Sequence, residues 1–179
     1  MSEKFYSLVT KYGQAQIANA LALSTKVEFG QFVVGDGGGQ VYDPSDVQTS
    51  LKNEVWVGKI TSLTIGEKNP NEVVIETYIP SEIGGFTIRE FGIKDKHGNL
   101  MILGKHPETY KPIAADGTSK DITIRVIISI SNAEEVIIQI DPSVQVATRQ
   151  DLAKIKVDID NSLKDIVTRI EEEEIEMLF

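Results

Sequence analysis

Apolar and polar positions repeat at two different periods along this chain, and the change of period divides it. Residues 8–23, "LVTKYGQAQIANALAL", place Ile17 and Leu21 four apart among several alanines, with Thr10 positioned to cap, which predicts a helix. Gly13 works against it. From Val27 the alternation has period two. "VEFGQFVVG" is followed, after a polar loop, by "EVWVGKITSLTIG", where Val55, Val57, Leu63 and Ile65 share a parity. "NPN" at 69–71 marks a turn before "EVVIETYIP", with Val73, Ile75 and Ile79 on one face. The clearest strand is "ITIRVIISIS", in which Ile122, Ile124, Val126, Ile128 and Ile130 alternate without a break. "SNAEE" then reads as a short turn into "VIIQI", its expected hairpin partner.

Between these strands lies "IGGFTIREFGIKDKHGNLMILG", where "KHGN" separates two apolar runs as a hairpin turn would. Phe86 and Ile88 share one parity, whereas Phe91 and Ile93 take the other. That change predicts a β-bulge near Arg89 and Glu90, or a strand buried on both faces. In the second case both charged side chains need polar partners.

The last 32 residues, "TRQDLAKIKVDIDNSLKDIVTRIEEEEIEMLF", follow Pro142 and open with Thr148 and Asp151 at the spacing of a helix N-terminal cap. Leu152, Ile155, Ile159, Leu163, Ile166 and Ile170 then follow at steps of 3, 4, 4, 3 and 4. This is a coiled-coil stripe with one eleven-residue element. Burying each such side chain is worth roughly 1.5–3 kcal/mol, so the stripe needs a partner. Its narrowness, with Asp and Lys between, fits self-association. The run Glu171–Glu174 opposes the helix dipole at a C-terminal end, as in a helix that continues or meets positive charge. The expected fold is therefore α+β: an N-terminal helix with mainly antiparallel sheet in a globular domain at 1–143, followed by a C-terminal coiled-coil helix at 148–179.

A formal charge of −9 argues against a nucleic-acid or anionic-membrane surface, which needs a surplus of Lys and Arg. The absence of cysteine excludes disulfides, zinc-thiolate sites and cysteine nucleophiles. The opening "MSEKFYSLVTKYG" lacks the basic flank and apolar run of a signal peptide. Apolar runs such as "VIISI" are far shorter than the ~20 residues of a membrane helix.

Candidate chemistry centres on "VVGDGGGQVYDP", residues 33–44. A dinucleotide fingerprint started at Gly35 requires glycine where Gln40 stands, and one started at Gly37 requires it where Tyr42 stands. No Lys-Ser/Thr follows, so a phosphate-binding Walker loop is not indicated either. The expected role is a turn that needs positive φ at several positions. His97 lies in the hairpin turn, and His106 precedes Pro107 in a polar loop without a second histidine at ligand spacing. Neither Asp43 with Asp46 nor Asp158 with Asp160 forms a calcium loop. Trp56 reads as core. G-x-S-x-G is absent, and no nucleophile, base and orienting group assemble. No enzyme activity, cofactor or metal is expected.

Several segments taken together carry a resemblance. "VVGDGGGQVYDP", "EVWVGKI", "IPSEIGGFTIREFGIKDKHGNLM", "PETYKP" and "VATRQDL" resemble, in order and spacing over roughly residues 1–152, the N-terminal region of phage tail-collar fibre proteins. Such proteins occur in contractile-tailed bacteriophages and phage-tail-like bacteriocins. The resemblance implies a structural attachment module, part of a homotrimeric fibre held by a baseplate protein, with a distal fibre or tip recognising the host. It places the protein in a virion or phage-tail-like particle assembled in the bacterial cytoplasm. The matching segments are Gly35–Gly39, Glu54–Trp56, Pro80–Gly92 and Glu108–Pro112. The chain reaches Phe179 without a repetitive shaft or tip, so these are expected in a longer chain or a separate protein. Leu152, Ile155, Ile159, Leu163, Ile166 and Ile170 are the expected oligomerisation residues. Tyr110 and Lys111, between two prolines and read as loop residues, are the candidate partner contacts. The alternative is a sheet-based module binding a glycan or receptor, although aromatic residues are only 7% of the chain and mostly sit at core parity.

Overall fold

The computed structural model describes residues 5–66, 69–113 and 120–130, together with helical positions 156–157, 159–161 and 163–164. The chain divides into two compact units, Met1–Gln145 and Val146–Phe179. In the first, the order is β1 (Ser7–Val9), α1 (Lys11–Leu23), β2 (Phe29–Gly35), a 3-10 turn at Gly37–Gly39, β3 (Glu54–Ile65), β4 (Glu72–Ile79), β5 (Phe86–Asp95), β6 (Leu100–Lys111) and β7 (Ile122–Ser129).

The seven strands form one sheet in the order β1-β6-β5-β2-β3-β4-β7, antiparallel at every step. The two end strands come together, and the Ser7 hydroxyl donates to the Ile127 carbonyl at 2.9 Å. The result is a nearly closed barrel. Its interior holds the main apolar cluster, which includes Phe32, Ile60, Ile75, Phe91, Ile102 and Ile128. Phe32 and Phe91 stack with ring centroids 6.1 Å apart. A second, smaller cluster of Val33, Leu51, Leu100 and Leu103, with Leu8 against it, lies apart from the first.

This architecture corrects the expected fold class. Sheet accounts for 49% of the described residues and helix for 18%, and no C-terminal coiled-coil helix is shown. The physical reason is that the period-two segments join end to end into a barrel, leaving α1 as one short element packed on it. Of the six stripe residues, Ile159 and Leu163 lie at described positions and are 53% and 54% exposed. Leu152, Ile155, Ile166 and Ile170 lie outside the described residues, as do the cap at Thr148, the glutamate run 171–174, the turn 131–135 and the strand expected at 136–140.

Three local expectations also change. The helix begins at Lys11, because Thr10 caps it by accepting from the Gly13 N–H, and Leu8 and Val9 belong to β1. Gly13 is where α1 lies against β6: a Cβ there would stand 2.3 Å from the Met101 carbonyl oxygen. In β3 the inward parity switches. Its first half pairs with β2 and its second with β4, with a register shift between Ile60 and Ser62. Ile60 is therefore fully buried, while Val57 is 46% exposed. Val73, Ile75 and Ile79 face the interior as their parity implies, as do Ile124, Val126 and Ile128.

Candidate functional site

The glycine loop after β2 is built around two carboxylates. Gly37, Gly38 and Gly39 all have positive φ, at 70°, 68° and 82°, a region L side chains avoid. Successive residues so arranged make a nest of amide donors, the geometry that binds anions elsewhere. Here the donors are taken. The Gly37 N–H donates to Glu90 Oε1 at 3.1 Å, the Gly38 N–H to Asp36 Oδ1 at 2.8 Å, and the Gly39 N–H to the Asp36 carbonyl at 3.2 Å. The loop turns the chain, and Asp36 of the loop and Glu90 of β5 fill the nest.

Glu90 is the centre of the site. It is completely buried, and the β5–β6 register shifts between Ile88 and Glu90, where the sequence implies a bulge. Ile88 pairs with Thr109 but Glu90 with Lys105, so the extra residues lie on β6, around His106 and Pro107. This shift directs Glu90 towards the loop. Besides the Gly37 N–H, its carboxylate accepts from the Tyr42 hydroxyl at 2.5 Å, the Lys52 N–H at 3.2 Å and the Asn53 N–H at 3.2 Å. A buried carboxylate needs this many donors to offset its desolvation. Gly35 completes the fit, because a Cβ there would stand 2.4 Å from Glu90 Oε1.

Arg89, the other charged residue of the bulge, bridges outward. Its Nη1 donates to the Asp36 carbonyl at 3.2 Å and its Nε to Glu108 Oε2 at 2.9 Å. Lys94, further along β5, pairs with Glu54 at 2.6 Å. Four segments distant in sequence, "GDGGG", "EVW", "FTIREFG" and "PETYKP", are thus joined through polar contacts from β5. The sequence flagged each of them but not the contacts; the one signal was the requirement that a buried Arg–Glu pair find partners.

Electrostatics follow from these contacts. Burial, and then the hydrogen bond to Glu90, push the Tyr42 phenol well above its ordinary value. Burial would raise Asp36, but hydrogen bonds from Asn53, Gly38 and Gly39 and the charge of Arg89 outweigh it and hold the carboxyl below its usual range. The Lys52 ammonium stands 3.8 Å over the Tyr42 ring, a cation–π contact.

Tyr110 and Lys111 lie at the end of β6, opposite Thr87 and Phe86, rather than in a loop. Tyr110 is 57% exposed, whereas Lys111 is completely buried and its Nζ donates to the Lys120 carbonyl at 2.6 Å. Lys111 therefore holds its own surroundings together. His106 also sits on β6, where burial lowers its pKa and Nδ1 lies 2.7 Å from the Pro107 carbonyl. His97 occupies the β5–β6 turn and donates its backbone N–H to Asp95 at 2.8 Å. Asp43 pairs with Lys105 at 3.3 Å. Trp56 is half-buried against the main cluster. Among the described residues no helix is long and apolar enough to cross a membrane.

Comparison with known proteins agrees with the motifs joined here. The family model described as "Phage tail-collar fibre protein, N-terminal" matches residues 1–150. The "Probable tail fiber protein" of Escherichia phage P2 is 37% identical over 150 residues, which is 83% of this chain but 22% of that protein. No solved structure matches. The barrel, its glycine loop and the β5 arm that clamps it thus belong to a chain of the phage tail-collar fibre family, matching that family's N-terminal region.

Proposed function

We propose that this chain is the attachment module of a tail fibre, a structural part that forms a homotrimer and is held by a baseplate protein while a distal fibre or tip contacts the host. The observation that carries this reading is the family match over residues 1–150, set against a relative of which the chain spans 22%. A module that matches the N-terminal region of a much longer fibre suits a role in joining rather than in host recognition. It would act in the tail of the particle, after assembly in the bacterial cytoplasm, and as a joint it calls for no catalysis.

Oligomerisation is assigned to Leu152, Ile155, Ile159, Leu163, Ile166 and Ile170, and the barrel and the segment after it to separate tasks, attachment at 1–143 and assembly at 148–179. Exposure of Ile159 and Leu163 supports this, because large aliphatic side chains left in water favour association. Tyr110 is the better of the two candidate partner contacts, since Lys111 is enclosed. Light scattering on the full chain tests the assembly. A trimer mass that falls to a monomer in the double variant Ile159→Asp, Leu163→Asp is expected. A monomeric parent protein refutes trimer formation through this segment, and a variant that stays trimeric moves assembly into the barrel. Co-sedimentation with fibreless tails, lost on Tyr110→Ala, tests the partner contact.

A further inference from the structure

The loop that Glu90 clamps is longer than its glycine turn. From Asp36 to Asn53 the chain leaves the ladder between β2 and β3, crosses over the smaller apolar cluster, and returns. Little of it is packed. Pro44 and Leu51 are buried, but Val41 is 41% and Val47 59% exposed. What holds it is mostly polar, and the strongest tie is one side chain from a different strand. Glu90 receives the Gly37 N–H at the start of the excursion, the Tyr42 hydroxyl within it, and the Lys52 and Asn53 N–H groups at its end. One carboxylate thereby ties both sides of the neck to the middle of a long loop.

At the neck itself the Asp36 N–H also donates to the Asn53 carbonyl at 3.1 Å, Asn53 Nδ2 to Asp36 Oδ1 at 3.0 Å and Arg89 Nη1 to the Asp36 carbonyl at 3.2 Å. None of these reaches the middle of the strap, where the remaining ties are few. Lys105 reaches Asp43 at 3.3 Å, but the Asp43 side chain is 83% exposed, where an ion pair contributes little. The Tyr6 hydroxyl donates to the Pro44 carbonyl at 3.3 Å, and the Lys11 N–H to the Asp46 carbonyl at 2.8 Å. Beneath the loop the barrel is complete without it. The β2–β3 ladder continues through Val34 opposite Trp56 and Val33 opposite Val57, and the main cluster takes no residue from 36–53.

We propose that residues 36–53 form a latched strap that opens as a unit while the barrel stays closed, with Glu90 as its latch. Opening removes Leu51 from the smaller cluster and uncovers Val33, Leu100 and Leu103 on the sheet beneath. Segments that open separately are those with few buried apolar contacts, and in the strap Val41 and Val47 are exposed while Leu51 joins only the smaller cluster. It is therefore the part of the module built to rearrange against a neighbour without cost to the core.

Amide hydrogen exchange on the full chain tests this. In the parent protein, exchange at Gly37, Lys52 and Asn53 is expected to be about tenfold or more faster than at the buried ladder amides of β4 and β7. In Glu90→Ala those strap amides lose a further tenfold or more, and trypsin cuts after Lys52, while β4 and β7 keep parental protection. Glu90→Gln retains one acceptor oxygen and falls between the two. Asp43→Asn, which removes only the exposed ion pair, leaves strap exchange within about twofold of the parent. Loss of protection in strap and barrel together in Glu90→Ala overturns separate opening. Equal effects of Asp43→Asn and Glu90→Ala overturn the assignment of the latch. If Glu90→Ala does not fold, the parent measurement decides, because strap amides exchanging no faster than β4 and β7 refute a strap that opens independently.

Discussion

Tyr42 gives its hydroxyl to a carboxylate that already accepts three backbone N–H groups, so removing that one oxygen affects a shared acceptor rather than an isolated pair. Tyr42→Phe is expected to cost about 1–3 kcal/mol in denaturant unfolding, the range for hydrogen bonds to charged groups. The variant also has a pH signature. A phenol whose pKa is higher in the folded than in the unfolded state contributes its full stability below the unfolded value, near 10, and loses it as pH rises towards the folded value. Stability of the parent protein therefore falls above about pH 10, and Tyr42→Phe removes part of that fall. In a spectrophotometric titration of the native protein, the variant lacks the last phenol to ionise. An unchanged alkaline limb in the variant shows that Tyr42 is not the group responsible.

At the scale of elements, β3 shows why alternation alone can assign the wrong face. Val55, Val57, Leu63 and Ile65 share a parity in the sequence, but the register shift after Ile60 exchanges the faces halfway along the strand. A single extra residue in a ladder leaves no mark in composition, so the inward role of Ile60 was not legible. It sets a clear contrast for mutation. Ile60→Ala is expected to cost about 2–5 kcal/mol as a core cavity, whereas Val57→Ala stays within about 0.5 kcal/mol, both by chemical denaturation. A larger cost at Val57 than at Ile60 would instead turn the face of Val55, Val57, Leu63 and Ile65 inward along the whole strand, as one unbroken register requires. In β5, by contrast, the parity change at Arg89 and Glu90 was visible, because aromatic and aliphatic residues flank it closely enough to fix both phases. The α1 cap and the β5–β6 turn were legible for a similar reason: the Thr10 cap bond from the Gly13 N–H and the positive φ of Gly98 are local geometry, although the Thr10 hydroxyl also donates to the Leu100 carbonyl. What the sequence could not express was the closure of the sheet, since β1 has three residues and is too short to show a period.

For the whole molecule, closure brings β1 beside β7 across a junction spanned by the Ser7–Ile127 hydrogen bond rather than by a ladder. A three-residue strand contributes few backbone bonds, and a neutral side-chain bond at an exposed position contributes little more. Ser7→Ala is therefore expected to change the unfolding free energy by less than about 1 kcal/mol, measured by thermal or denaturant melts. A larger loss identifies the junction as a principal source of barrel stability. The cluster inside the barrel and the Glu90 network hold the fold whether or not that edge is fully sealed.

The number of strands has a mechanical consequence. Six antiparallel steps separate β1 from β7, so the two neighbours run in the same direction. The chain thus enters the barrel at one end of this pair and leaves it at the other. Tension applied between residue 5 and residue 130 acts along the strands, pulling them past one another lengthwise. On the β7 side the eight register pairs with β4 then share the load at once, instead of parting one at a time as when a hairpin is peeled open, whereas β1 meets it with three pairs to β6 and is the first to slip.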